Sequence, residues 1–198
     1  MTTASVLHPR GVLTVAAACF LALTAAVVAL GALPADAALR DSLLALATPG
    51  VVAVMRVFNR AGDWRVIAPG LVVLFVVSRR ARERWWLWLL VTAIAPVMEW
   101  MLKHLVGRAR PEDVSLGFPS GHSTAAATFF GAVMFLAGGL PARACAIVRT
   151  LALTVILLVG VARVMLRAHW PSDVLAGIAL GLALAAAAGW VASSEEAG

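Results

Sequence analysis

Long apolar runs alternate along this chain with short clusters of Arg, Lys, His, Asp and Gly. Six runs approach or reach the roughly 20 residues that a helix needs to cross a hydrocarbon core. They are Gly11–Leu33, Val66–Ser78, Trp85–Leu102, Ser123–Leu140, Ile147–Leu166 and Val174–Ala192. The second is short in strictly apolar residues and recruits neighbours such as Trp64. Between the first two, Leu43–Phe58 is apolar but broken by Pro49-Gly50 and carries Arg56. That pattern predicts an interfacial or re-entrant segment, with a seventh span as the lesser alternative. The runs Val51–Val54 and Leu71–Leu74 are β-prone, yet open sheet edges are not tolerated in lipid, which selects helices. The expected fold is all-α: a polytopic membrane protein with a six-transmembrane-helix bundle and an interfacial helix between spans 1 and 2. Residues 1–198 read as a single domain, without an internal repeat or a low-complexity linker.

Composition sharpens this picture. The 198 residues are 62% hydrophobic and 13% charged, against about half apolar and about a quarter charged in soluble domains. Too little polar surface remains to cover one water-soluble core. Arg10 precedes the first run as in a signal peptide. The run is too long for one, and Ala35-Asp36-Ala37 offers only a weak cleavage site, so an uncleaved first helix is expected.

Charge sets the expected orientation. Arg79, Arg80, Arg82 and Arg84 crowd a short loop with Glu83, which places it in the cytoplasm. Arg143 and Arg149 agree. Both termini, near Arg10 and near Glu195-Glu196, are then cytoplasmic, and the loops Lys103–His122 and Arg163–Asp173 lie together on the outer face of the cell membrane. The net charge of +6 is distributed over helix ends, which suits topology and anionic lipid rather than nucleic acid. Cys19 falls in the first span and Cys145 in a cytoplasmic loop, so membrane depth separates them and no disulfide is expected.

Ionisable residues in or beside a span are costly and mark candidate function. Lys103, Arg108 and Arg110 form a first cluster that closes the third span. Lys103 and Arg110 share a face if the helix continues, although Gly107 and Pro111 make a bend equally consistent. The cluster reads either as an anion clamp, with Arg suited to bidentate phosphate contact, or as cations snorkelling to the interface. The second cluster is Pro119-Ser-Gly-His-Ser123. Ser120 is placed to cap a helix whose N-terminus favours phosphate, Gly121 permits close approach, and His122 stands beside them. Alone, it is also consistent with a plain helix cap. In the third, Arg163, His169 and Asp173, the four-residue step brings His169 and Asp173 together if the chain turns helically after Pro171. A carboxylate on one imidazole nitrogen fixes the tautomer and raises the basicity of the other, as in an oriented nucleophile or base. A structural His–Asp contact is the plainer alternative.

Two histidines, a carboxylate, several cations and a helix N-terminus on one face are the parts phosphoryl transfer uses. Which histidine attacks is not decided by these residues. Zinc on His122, His169 and Asp173 is disfavoured, because the surrounding Lys and Arg would repel a dication. No metal and no cofactor are expected. Glu99, one turn before Lys103, is set for an i,i+4 ion pair. Trp85, Trp86, Trp88 and Trp100 read as interface anchors and packing residues.

Lys103 with Arg110-Pro111, then Pro119-Ser-Gly-His122, then Arg163 with His169 and Asp173, resembles the type 2 phosphatidic acid phosphatase (PAP2) superfamily. The motif core spans 103–173, and the six-span pattern extends the likeness over most of the chain. The resemblance implies an integral membrane lipid phosphate phosphatase, metal-independent, acting through a phosphohistidine intermediate on a phosphomonoester or diphosphate of the phosphatidic acid or undecaprenyl diphosphate type. It implies that His169 is the nucleophile, that Asp173 orients it and that His122 handles protons. Lys103, Arg110, Ser120, Gly121 and Arg163 would hold the phosphoryl oxygens. Two departures stand out: Ala162 where the family usually has Ser, and Arg167 where members often carry Gly. Arg108 and Arg167 are further candidate phosphate contacts, Arg167 for a diphosphate or simply for lipid phosphates. A phosphotransferase with the same intermediate and a non-enzymatic lipid-phosphate binder or transporter remain alternatives. The partner implied is a lipid phosphate in the membrane, with no nucleic acid and no obligate protein partner.

Overall fold

The computed structural model describes residues 7–194, so Glu195 and Glu196 lie outside the described residues. Among the described residues the chain forms nine α-helices and no strand. Four helices are long and apolar enough to cross a membrane: α1 (Pro9–Leu30), α6 (Trp85–Val106), α8 (Ala142–Met165) and α9 (Pro171–Ser194). The remaining two expected spans form shorter helices, α4 (Trp64–Val77) and α7 (Gly121–Leu136). The Pro49-Gly50 break separates α2 (Pro34–Ala45) from α3 (Pro49–Arg60), which meet at 116° and together make a fifth candidate span. A short α5 (Arg79–Glu83) carries the basic loop.

Local chemistry sets these boundaries. Proline opens α1, α2, α3 and α9, where its missing N–H costs nothing. The Thr48 hydroxyl and the Asp63 carboxylate accept from the Val51 and Arg65 main-chain N–H groups to cap α3 and α4. Gly107 takes a left-handed φ of 67° and ends α6, so the bend prevails over a continued helix between Lys103 and Arg110. Ser120 stands at the N-cap of α7, but its Oγ accepts from Ser123 Oγ at 3.0 Å instead of from a main-chain N–H. Cys145 lies within α8 rather than in a loop, where it is buried, while Cys19 is exposed on α1; both are free.

Helices α7 and α9 lie against each other through small residues, the usual route to close approach in a bilayer. A Cβ on Gly177 would stand 2.6 Å from the Ser120 carbonyl oxygen, and one on Gly181 would stand 2.7 Å from Ala127 Cβ. Leu71, Trp88, Phe129 and Ala188 join α4, α6, α7 and α9 in one apolar core. Trp88 is thus a core residue at 2% exposure, whereas Trp85, Trp86 and Trp100 are exposed.

The helices run between two charged ends. At one end the N-terminus of α7 meets the C-termini of α3, α6 and α8 around a cavity. At the other, Arg80, Arg84 and Arg149 share a cleft with Leu136, Gly189 and Pro9. The start of α1 and the late part of α9 therefore lie at the Arg80 end, away from His169.

Candidate active site

The cavity encloses about 590 Å³. Lys103, Arg110, Gly121, His122, Arg163 and His169 line it, so six of the predicted site residues converge although they lie on five separate segments. Its other walls are largely apolar, from Trp64, Ile67, Ala95, Pro96 and Ala125.

Each side chain is placed by a local device. Beyond Gly107 the chain makes a small hairpin, with Gly117 N–H donating to the Arg108 carbonyl at 2.7 Å and Arg110 N–H to Ser115 at 3.0 Å. Gly117 is tight against the site, since a Cβ there would stand 3.0 Å from Asp173 Oδ2. This hairpin carries Arg110 to the cavity. Lys103 stays on the last turn of α6, its Nζ 2.5 Å from Glu99 Oε1, the expected i,i+4 pair. Arg163, on the last turn of α8, donates from Nη1 to Asn59 Oδ1 at 2.9 Å. Its Nε is buried without a hydrogen-bond partner among the described residues.

His169 is 1% exposed and Asp173 is 0% exposed. The start of α9 at Pro171 does bring them together, with His169 Nδ1 at 3.4 Å from Asp173 Oδ2. That is long for a hydrogen bond, and the same oxygen accepts from Trp170 N–H at 3.0 Å. Burial pushes the His169 imidazole below the ordinary value of 6.5, and nearby Arg163 and Arg110 push the same way against the opposing pull of Asp173. The neutral ring is therefore the favoured form, which leaves a lone pair on one nitrogen.

Ser120 and Asp173 are buried rather than cavity-lining. The Ser120 main-chain N–H donates to the Asp173 main-chain carbonyl at 3.0 Å, tying the start of α7 to the start of α9. Arg108 is also withdrawn from the cavity. Its guanidinium donates to Asp173 Oδ1 at 2.7 Å, Ser172 Oγ at 2.6 Å and Asp36 Oδ2 at 2.6 Å. Buried carboxylates claim its donors, so it does not stand with the cavity cations. Arg167 also lies off the cavity. It is mostly exposed, pairs with Glu112 at 2.9 Å and has a φ of 61°, a conformation that favours glycine. Glu112 also pairs with Arg40.

Several site residues carry no motif. Asp36 on α2 is 3% exposed; its signal was an acid in a membrane-bound stretch, masked by the resemblance of its neighbours to a cleavage site. Asn59, Gly62 and Asp63 reach the site only through the packing of the α3–α4 turn. A Cβ on Gly62 would stand 2.6 Å from the His122 carbonyl oxygen, so only glycine lets that turn close over α7.

Residues 84–195, more than half of the chain, match the PAP2 superfamily. The chain is 31% identical over 176 residues to phosphatidylglycerophosphatase B of Bacillus subtilis, covering 83% of this chain and 87% of that protein. It is 31% identical over 157 residues to decaprenylphosphoryl-5-phosphoribose phosphatase of Mycobacterium tuberculosis, covering 70% and 78%. The crystal structure of a transmembrane PAP2 type phosphatidylglycerolphosphate phosphatase from Bacillus subtilis superposes with a TM-score of 0.73 at 27% identity, covering 96% of each chain. With its motifs gathered at one cavity and these matches spanning most of its length, the chain belongs to the PAP2 superfamily as a helical membrane protein.

Proposed function

We propose that this protein hydrolyses a lipid phosphate at the His169 cavity, without a metal, through a phosphohistidine intermediate. The observation that carries the reading is the mixed lining of the cavity: three cations and two histidines share it with apolar residues such as Trp64, Ile67, Ala95 and Pro96. Such a site suits an anionic head group joined to a hydrocarbon tail. In this reading six helices cross the bilayer, α4 and α7 completing the set, while α2 and α3 form the interfacial element. The His169 end faces outward from the plasma membrane and the Arg80 end faces the cytoplasm, in keeping with the basic α5.

Lys103, Arg110 and Arg163 hold the phosphoryl oxygens, with Arg163 Nε a buried donor for one of them, and the N-terminus of α7 at Ser120-Gly121 favours the same anion. His169 attacks phosphorus from its free nitrogen. The N–P bond forms as the P–O bond to the lipid breaks, and the departing oxygen takes a proton from His122. The bound phosphate's negative charge favours that proton on His122 beforehand. Water then attacks the phosphohistidine while His122 accepts its proton, releasing phosphate and restoring neutral His169. Asp173 steadies the positive charge on the imidazole during both steps.

The relatives' names, a phosphatidylglycerophosphatase and a phosphatase of a decaprenylphosphoryl sugar phosphate, support a phosphate carried by a diacylglycerol or polyprenyl lipid. The test is phosphate release by the purified protein in detergent with EDTA. Phosphatidic acid, phosphatidylglycerophosphate and undecaprenyl diphosphate are the substrates, and His169→Ala is the control. The reading expects release from at least one lipid, and a loss of about 10²-fold or more in the variant. Undiminished release by His169→Ala would overturn it.

A further inference from the structure

Behind His169, charges alternate through the protein: imidazole, Asp173, Arg108, Asp36. Asp36 is the remote member, supplied by the first turn of α2. Its Oδ2 accepts from Arg108 Nη2 at 2.6 Å and from Ser172 Oγ at 2.7 Å, and its Oδ1 accepts from Ser172 N–H at 2.9 Å. Arg108 spans the gap from Asp36 to Asp173. A buried cation shared by two carboxylates is neutralised by neither alone. Without Asp36, Arg108 would act wholly on Asp173, whose contact to His169 is already long at 3.4 Å.

We propose that Asp36 is a positioning residue for the reaction: by balancing Arg108, it leaves Asp173 free to orient His169 and to stabilise the charge that develops on the ring. This rests on His169 being the nucleophile. The other charged groups acting around the ring are Arg163 from α8, Arg110 from the hairpin, His122 from α7 and Asp113 from the hairpin tip. Lys103, Glu99 and Asp63 also line the same cavity. Near Asp36, Arg40 is occupied by Asp41 and Glu112, which leaves Arg108 as the cation bonded to Asp36.

The sign follows from the charges. Asp36→Asn leaves a net positive charge behind Asp173, which disfavours imidazolium. The titration midpoint of His169 falls further, and the positively charged phosphohistidine becomes harder to form. The double variant Asp36→Asn/Arg108→Gln removes one charge of each sign, so the midpoint returns while Asp173 still lacks its anchor.

The experiment uses the full chain in detergent. It measures kcat and KM for phosphate release from phosphatidic acid, and the His169 midpoint by NMR of ring-labelled histidine. Asp36→Asn should lower kcat about tenfold or more with KM within about threefold. Its His169 midpoint should fall by roughly half a unit or more. The double variant should regain part of kcat and return the midpoint toward that of the parent. Unchanged kcat, or a lower kcat with an unmoved midpoint, would overturn the proposal, the second result marking a merely structural residue. If Asp36→Asn does not fold, the double variant decides: a His169 midpoint that stays displaced from that of the parent overturns the proposal. Phosphate release that survives His169→Ala would instead defeat the functional reading, so the two failures are distinguishable.

Discussion

Asp173 is shared between Arg108 and His169: Arg108 Nη1 donates to Oδ1 at 2.7 Å, while Oδ2 lies 3.4 Å from His169 Nδ1. The guanidinium fixes the carboxylate from behind, and the imidazole is oriented by the oxygen left over. Asp173→Asn weakens both functions, since the amide is uncharged and Arg108 loses one of its two buried anions. The expected outcome is a kcat lower by about 10²–10⁴-fold. Stability should fall by about 3–5 kcal/mol, the cost of breaking a buried pair from one side. Phosphate release and thermal unfolding in detergent measure the two effects; a kcat within threefold of the parent would contradict the orienting role.

The pH dependence follows from the buried, neutral His169. Burial and the neighbouring Arg163 and Arg110 hold its pKa below 6.5. As pH falls through 6.5, the unfolded chain takes up a proton that the native site resists. The stability that this group contributes is therefore full above about 6.5 and is lost on acidification down to the lowered native value. Ring-labelled histidine NMR should show a resonance, absent in His169→Ala, that titrates with a midpoint below 6.5. A midpoint at or above 6.5 would be inconsistent with this site.

Gly181 sets the approach of α9 to α7. A Cβ at this position would overlap the Thr124 carbonyl oxygen and stand 2.7 Å from Ala127 Cβ and 2.8 Å from Thr128 N. Backbone is among these obstacles, so one helix must move. Gly181→Ala should cost about 1–3 kcal/mol and should lower kcat by displacing the N-terminus of α7 with His122. Thermal unfolding and kcat together test this, and a fully stable, fully active variant would show that the two helices yield.

Arg167 has a φ of 61°, which glycine adopts without strain and which costs a side chain roughly 1–2 kcal/mol. Its ion pair with Glu112 is solvent-exposed and contributes at most about 1 kcal/mol. Arg167→Gly should leave stability unchanged or raise it slightly. Because Arg167 does not line the cavity, activity on mono- and diphosphate lipids should change by the same factor. A selective loss on diphosphate would instead restore Arg167 to substrate binding.

The cavity-lining cations and histidines were legible because each sits in a short, locally dense motif, and a membrane topology forces those motifs to one end. The long helices were legible for the same reason, an unbroken apolar run. Arg108 was not, because its partners Asp36 and Asp173 lie 72 and 65 positions away and nothing local distinguishes it from Arg110. Gly62 and Asn59 were hidden likewise, since their importance arises from what α3 and the turn after it pack against. The Ser120 hydroxyl was misjudged because Ser123, equally buried, competes as its partner.

Phosphoenzyme trapping tests the central claim most directly. Purified protein is mixed with a phosphatidic acid labelled on phosphorus, quenched in alkali, which preserves phosphohistidine, and digested for peptide mass analysis. The account predicts label on the peptide containing His169, absent from His169→Ala and formed more slowly in His122→Ala, where the departing oxygen lacks its proton. Label on another residue, or steady phosphate release with no labelled protein at any time, would contradict it.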